Sequence, residues 1–189
     1  MKSINPQFLI WAFIIITGVV GYQYYLHNYT PVSLPGLPES KPNERRPDFT
    51  LPDITGQMCS NAEWDGKVVV VNFWATWCQS CLKEIPVFIK LQNEYAEQGV
   101  QFIGIAVRDD TQSVKRFAKD MGINYPLLID EEQKNVVLSK TFGNTISALP
   151  FTVVVDRKGN IVSRFAGEMN ERAAKKNFVP FLGIHTEGT

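Results

Sequence analysis

The sequence predicts an α/β fold with a mixed central sheet flanked by helices, and three observations carry that prediction. Val68-Val69-Val70-Val71-Asn72-Phe73 is a continuous β-branched and apolar run, the pattern of a strand buried on both faces. Runs of this kind alternate along the chain with segments of helical periodicity, which points to parallel strands joined by helices. Near the end, Phe151 to Val155 and Ile161 to Ala166 are joined by Asp156-Arg157-Lys158-Gly159, a turn sequence, so an antiparallel hairpin makes the sheet mixed.

The other elements follow in order. Phe49-Thr50-Leu51 and Met58 to Asn61 flank a turn at Asp53 to Gln57 and form a short amino-terminal hairpin. Gln79 to Gln98 is helical, with Leu82, Ile85, Phe88, Ile89 and Tyr95 at helical spacing and a kink expected at Pro86. Val100 to Val107 is a second buried strand. Thr111 to Gly122 is a helix with Val114, Phe117, Ala118 and Met121 on one face. Leu127 to Ile129 is a short strand, Glu132 to Phe142 a helix, and Asn170 to Leu182 the last helix.

A chain of 189 residues holds one ordinary domain and a short extension. Lys plus Arg and Asp plus Glu both number 19, so the formal net charge is zero. No basic surplus points to nucleic acid, and no acidic tail points to a disordered partner segment. Bulk charge is therefore not how this protein finds a partner.

The run Phe8 to Leu26 is apolar or aromatic except for Thr17 and Gln23, and it reaches the ~20 residues a bilayer helix needs. Tyr22, Tyr24 and Tyr25 fall at one end, where amphipathic rings suit the lipid–water boundary. Lys2 precedes the run and no Lys or Arg follows until Lys41, which keeps the amino terminus in the cytoplasm and exports the rest. A cleaved signal peptide is the alternative, but Val19 and Gly21 match a cleavage site poorly. Both readings place the domain outside the cytoplasm, where disulfides persist. Pro31, Pro35, Pro38, Pro42 and Pro47 then forbid helix and favour an extended spacer. The expected organisation is a cytoplasmic terminus (1–7), a single-pass transmembrane signal anchor (8–26), a proline-rich linker (27–46) and a folded domain (47–189).

Three cysteines, Cys59, Cys78 and Cys81, are too few for a disulfide scaffold. The C-x-x-C pair is either redox-active or half of a zinc site. Zinc wants four ligands, and His27 and His185 lie at opposite ends of the chain, so no metal is expected. The buried strand ends near Trp74 and the helix starts near Cys78, which places Cys78 at a helix amino terminus. Unpaired N–H groups and the helix dipole there favour a thiolate. Cys81 lies almost one turn later, further inside. The pattern predicts that Cys78 attacks a partner disulfide and Cys81 resolves the mixed disulfide. Trp74 and Trp77 are expected to form an apolar rim that shapes docking. Two inert buried cysteines are the bland alternative, and this strand–helix junction gives no reason for them. Cys59 reads as a small hydrophobe. Arg108-Asp109-Asp110 reads only as a charged loop after a strand.

Val70-Val71-Asn72-Phe73-Trp74-Ala75-Thr76-Trp77-Cys78-Gln79-Ser80-Cys81 resembles the active-site segment of the thioredoxin superfamily. More narrowly, the chain from Pro47 onward resembles the TlpA/ResA-like exported reductases, a group that includes the thioredoxins of cytochrome c maturation. The likeness extends to the amino-terminal hairpin, the Gly66-Lys67 lead-in, an inserted β–α unit around Ile103 to Ile129, and Ala148-Leu149-Pro150 before a strand. It implies a thioredoxin-like fold. It implies that Pro150 is a cis-proline beside the C-x-x-C and that Leu149 and Trp77 help bind substrate. Pro86 would be the family's helix-kinking proline. Glu84 matches a buried acid that moves protons for the thiols; spacing alone equally allows a solvated helix glutamate. No cofactor is implied. The implied partners are protein disulfides, apocytochrome c among them, and a membrane electron donor of DsbD/CcdA type. The implied location is the bacterial cytoplasmic membrane, with the domain on the periplasmic or extracytoplasmic side.

Two departures stand out. Thioredoxin proper has a buried aspartate where this chain has Asn72, which does not titrate. The dipeptide between the cysteines is Gln79-Ser80, without the proline or histidine common in relatives, and those residues set redox poise. A protein-disulfide reductase is the leading expectation. The alternatives are a disulfide-forming oxidase, a thiol peroxidase, or a copper or haem carrier on the same fold.

Overall fold

The structure, a computed structural model, describes residue 7, residues 15–21, residue 38, residues 40–132 and residues 134–183. The chain divides into two units, residues 1–34 and residues 35–189. In the first, residues 15–21 are helical and expose Ile15, Ile16, Val19 and Val20. The rest of the expected anchor lies outside the described residues, among which no helix is long and apolar enough to cross a membrane.

The second unit is built on a five-stranded sheet. Its strands are β3 (Val68–Trp74), β4 (Val100–Ala106), β5 (Leu127–Ile129), β6 (Phe151–Val155) and β7 (Ile161–Ala166), in the order β5-β4-β3-β6-β7. β3 pairs parallel with β4 and antiparallel with β6, so the sheet is mixed. A hairpin of β1 (Thr50–Pro52) and β2 (Met58–Ser60) docks on the β5 edge through the Ile54 amide and the Leu127 carbonyl. The helices are α1 (Gln79–Tyr95), α2 (Thr111–Met121), α3 (Lys134–Thr141) and α4 (Glu171–Phe178).

β3 is buried along its whole length, as its β-branched run requires. Its side chains alternate between two cores. Val68, Val70 and Trp74 meet Ile85, Phe88 and Leu91 of α1, Val114 of α2 and Phe178 of α4. Val69, Val71 and Phe73 meet Leu51 and Cys59 of the hairpin, Phe142 and Phe151. The lone Cys59 thus fills an apolar site, and burial raises its thiol pKa.

The expectations for Trp74, Met121 and the last helix are corrected. Trp74 is no rim residue: it is 1% exposed and packs on Phe117 of α2. Gly104 of β4 makes room for it, since a β-carbon there would lie 2.9 Å from the indole nitrogen and 2.6 Å from Leu127. Met121, expected on the buried face of α2, is exposed, because that helix ends beside it at the left-handed Gly122. The residues just before Pro47 form an ordered arm on the domain. Arg45 bridges to Asn160, the Ile161 amide donates to the Glu44 carbonyl, and Arg164 grips the Glu44 carboxylate at 2.6 Å. The last seven residues assigned to the linker therefore lie against the domain. Pro86 sits inside α1, which runs unbroken through it. The last helix is shorter than expected; after Phe178 the chain tightens into a 3₁₀ turn containing Pro180.

Candidate active site

β3 delivers the chain to the site, and α1 starts there. Cys78 is the N-cap of α1, extended at φ −90°, and its Sγ accepts the Cys81 amide at 3.3 Å. This is the anion position of a helix amino terminus, occupied by sulfur. The first turn of α1 carries no acidic side chain. Ser80 Oγ lies 3.4 Å from Cys78 Sγ. Cys78 and Cys81 form a disulfide. Of the two, Cys78 is the more accessible, at 7% against 0%. The structure is therefore the oxidised form, with Cys78 slightly accessible and Cys81 fully covered.

Above Cys78 lies a groove of about 560 Å³. Trp77, Gln79, Ser80 and Lys83 form one side; Val136, Ser139, Lys140, Asn144, Ser147 and Leu149 form the other. Trp77 is 56% exposed, so the expected apolar rim comes down to this one tryptophan. The Leu149–Pro150 peptide is cis. Among the described residues neither the amide nor the carbonyl of Leu149 bonds within the chain. Both are available to an extended peptide, which is how an unpaired backbone edge binds a strand. Asn144 braces this wall: its side chain donates to Ala148 O and Ser139 Oγ and accepts from Ala148 N.

Three residues after Cys81, α1 contributes Glu84 to a buried polar cluster. Glu84, on α1, is 0% exposed. It accepts from Asn72 Nδ2 at 2.7 Å and from the Met169 amide at 3.0 Å. Asn72 also donates to Thr152 Oγ1 at 3.1 Å. Burial pushes the Glu84 carboxyl up to about 8, against the opposing pull of its two donors. No cation pairs with it among the described residues. Of the two readings open for Glu84, the structure takes the buried one. Asn72, a departure in the sequence, is the side chain that fixes this carboxyl.

The Arg108-Asp109-Asp110 loop has a role that its sequence did not disclose. Asp109 accepts from the Thr76 amide at 2.6 Å and from Thr76 Oγ1 at 3.0 Å, and the Arg108 carbonyl accepts from the Trp77 indole at 2.9 Å. Asp110 caps α2 through the Ser113 amide. The loop holds the two residues before Cys78 in place. Arg108 takes a left-handed φ of 54° and Ser147 one of 53°, so two of the groove's residues hold uncommon backbone conformations. Only the polar character of the loop, next to a strand end, was available in advance as a signal.

A family model for redoxin matches residues 41–179, beginning in the arm that contains Glu44 and covering β1 to α4. The chain belongs to the redoxin family. This redoxin is 32% identical over 162 residues to the thiol-disulfide oxidoreductase ResA of Halalkalibacterium halodurans, covering 86% of each chain. It is 29% identical over 171 residues to ResA of Bacillus thuringiensis, covering 90% of this chain and 93% of that one. A thioredoxin-family thiol:disulfide interchange protein from Chlorobium tepidum superposes with a TM-score of 0.67 at 30% identity, over 76% of this chain and 99% of the other. The fold is thioredoxin-like, and the protein is a ResA-like thiol:disulfide oxidoreductase whose redox pair is Cys78–Cys81.

Proposed function

We propose that the protein is an exported, membrane-anchored reductase of protein disulfides. Reduced Cys78, as thiolate, attacks a substrate disulfide and forms a mixed disulfide, releasing one substrate thiolate. Cys81 then gives its proton to ionised Glu84 and attacks Cys78 Sγ. The second substrate thiolate leaves, the substrate has gained two electrons, and Cys78–Cys81 is oxidised. Exchange with a membrane dithiol donor of DsbD/CcdA type restores the pair. Trp77 covers the approach, and Leu149 with Pro150 aligns the substrate backbone. Apocytochrome c is a fitting substrate, since its C-x-x-C-H attachment site needs free thiols.

The observation that supports the reducing direction is how few hydrogen-bond donors reach Cys78 Sγ itself. Strong oxidants are oxidising because their reduced form is heavily stabilised. Here the sulfur has one amide, one hydroxyl and the helix dipole, and no histidine lies in the dipeptide. On the same helix Glu84 is buried without an ion-pair partner among the described residues. Anchoring is supported by the apolar run 8–26, whose described part exposes Ile15, Ile16, Val19 and Val20 on a helix. Equilibration with glutathione tests the direction. The expected potential is near thioredoxin's, about −270 mV; a value near about −120 mV would make the protein an oxidase. A carboxy-terminal reporter that is active only outside the cytoplasm tests the topology.

A further inference from the structure

We infer that the Cys78 groove selects substrate disulfides flanked by acidic side chains. This rests on the reading of Cys78 as the nucleophile and adds the chemistry of the substrate. Three cations line the groove, each from a different element: Lys83 from α1, Arg108 from the turn after β4, and Lys140 from α3. No aspartate or glutamate lines it among the described residues. The protein as a whole has no net charge, so this excess is local. Arg108 and Lys140 form no ion pair among the described residues, and Lys83 has only an exposed contact with Glu168 at 3.7 Å.

The nearby carboxylates Asp109, Asp110 and Glu131 keep their charge, but they line a second hollow and not the groove. Asp109 accepts from Thr76, Asp110 from the Ser113 amide, and Glu131 from Thr111. Trp77 and Arg108 line that shallower hollow with them. An extended peptide bonded to the Leu149 backbone places its flanking side chains along the walls that carry these cations. Acidic flanks are attracted there, and basic flanks are repelled. Charges at such a rim act mainly on association, so the preference is a rate effect that salt weakens. The cations line the concavity with Cys78 at its base, which fits a peptide better than a flat anionic bilayer.

The test uses the reduced full-length protein and short cystine peptides, identical except that the flanking positions carry Glu, Gln or Lys. At low ionic strength the Glu peptide is expected to be reduced about tenfold faster than the Lys peptide, with Gln between them, and the gap to close at high salt. Lys140→Glu should shrink or reverse the ratio. The ratio is the readout, because it cancels any general change in Cys78 reactivity. Equal rates for all three peptides would overturn the charge preference and leave the oxidoreductase reading standing. Reduction of none of them would overturn both. An unchanged ratio in Lys140→Glu, with lost binding to vesicles rich in phosphatidylglycerol, would assign the cations to lipid and overturn the proposal.

Discussion

The two ends of α1 carry the same residue type to opposite purposes. Near its start, Glu84 is sealed from solvent without a cation, and its carboxyl is pushed up to about 8. Ten positions on, Glu94 lies at the surface, 2.8 Å from Lys175, and that hydrogen bond lowers its carboxyl. Lys175 also bonds Glu171, which in turn meets Lys90. Partnered charge at the surface does ordinary structural work. A carboxylate denied water and a cation is costly in the folded state, so burial holds on to the Glu84 proton, three residues after Cys81.

The sharpest way to break this comparison is at the sulfurs. Cys78→Ser should reduce disulfide reductase activity to background, whereas Cys81→Ser should accumulate a mixed disulfide through Cys78, visible by mass spectrometry. Next in size, Glu84→Gln should slow the resolving step by about 10²–10³-fold and remove the inflection near pH 8 from its rate profile. An unchanged profile would take Glu84 out of the proton route.

The same residue makes a stability prediction. A carboxyl raised from 4.5 to about 8 binds its proton more tightly in the folded than in the unfolded chain. Stability is thus highest below pH 4.5 on this account and declines as pH rises through about 8, by at most about 5 kcal/mol. Urea melts across this window should show that slope in the wild type and a flattened one in Glu84→Gln. The slope is the readout, since a glutamine amide facing the Met169 amide costs stability on its own account.

Smaller effects are expected at the loop. Asp109→Ala leaves the Thr76 amide without its acceptor and should cost about 1–3 kcal/mol, with a raised KM for peptide disulfides. Smallest of all, Glu94→Gln should leave the redox potential untouched and change stability by no more than the ~0–1 kcal/mol of exposed pairs.

How much of this was legible in the sequence depends on the range of the interaction. Local patterns survived: the buried β3 run, the hairpin turn at Asp156–Gly159, and the junction that makes Cys78 an N-cap are all set by neighbours in sequence. The cis peptide before Pro150 was legible only through family resemblance, since a proline there is otherwise an ordinary strand start. Long-range partners were not legible. Trp74 and Trp77 are three positions apart, and only the packing of Phe117 and the space above Gly104 decide which one is buried. The arm before Pro47 needs Arg164, over a hundred residues away. Asp109 looks like any loop acid until Thr76 is brought beside it. Glu84 on spacing alone was undecided, because burial depends on what α4 and the Met169 segment lay over it.

The account is tested most directly by the pH dependence of Cys78 alkylation in the reduced protein. Half-reactivity is expected below the ~8.5 of a free cysteine and well above the ~3.5 of the strongest oxidases. Reactivity no more acidic than a free thiol, or a sulfur closed to the reagent, would contradict the claim that the start of α1 poises Cys78 as the nucleophile.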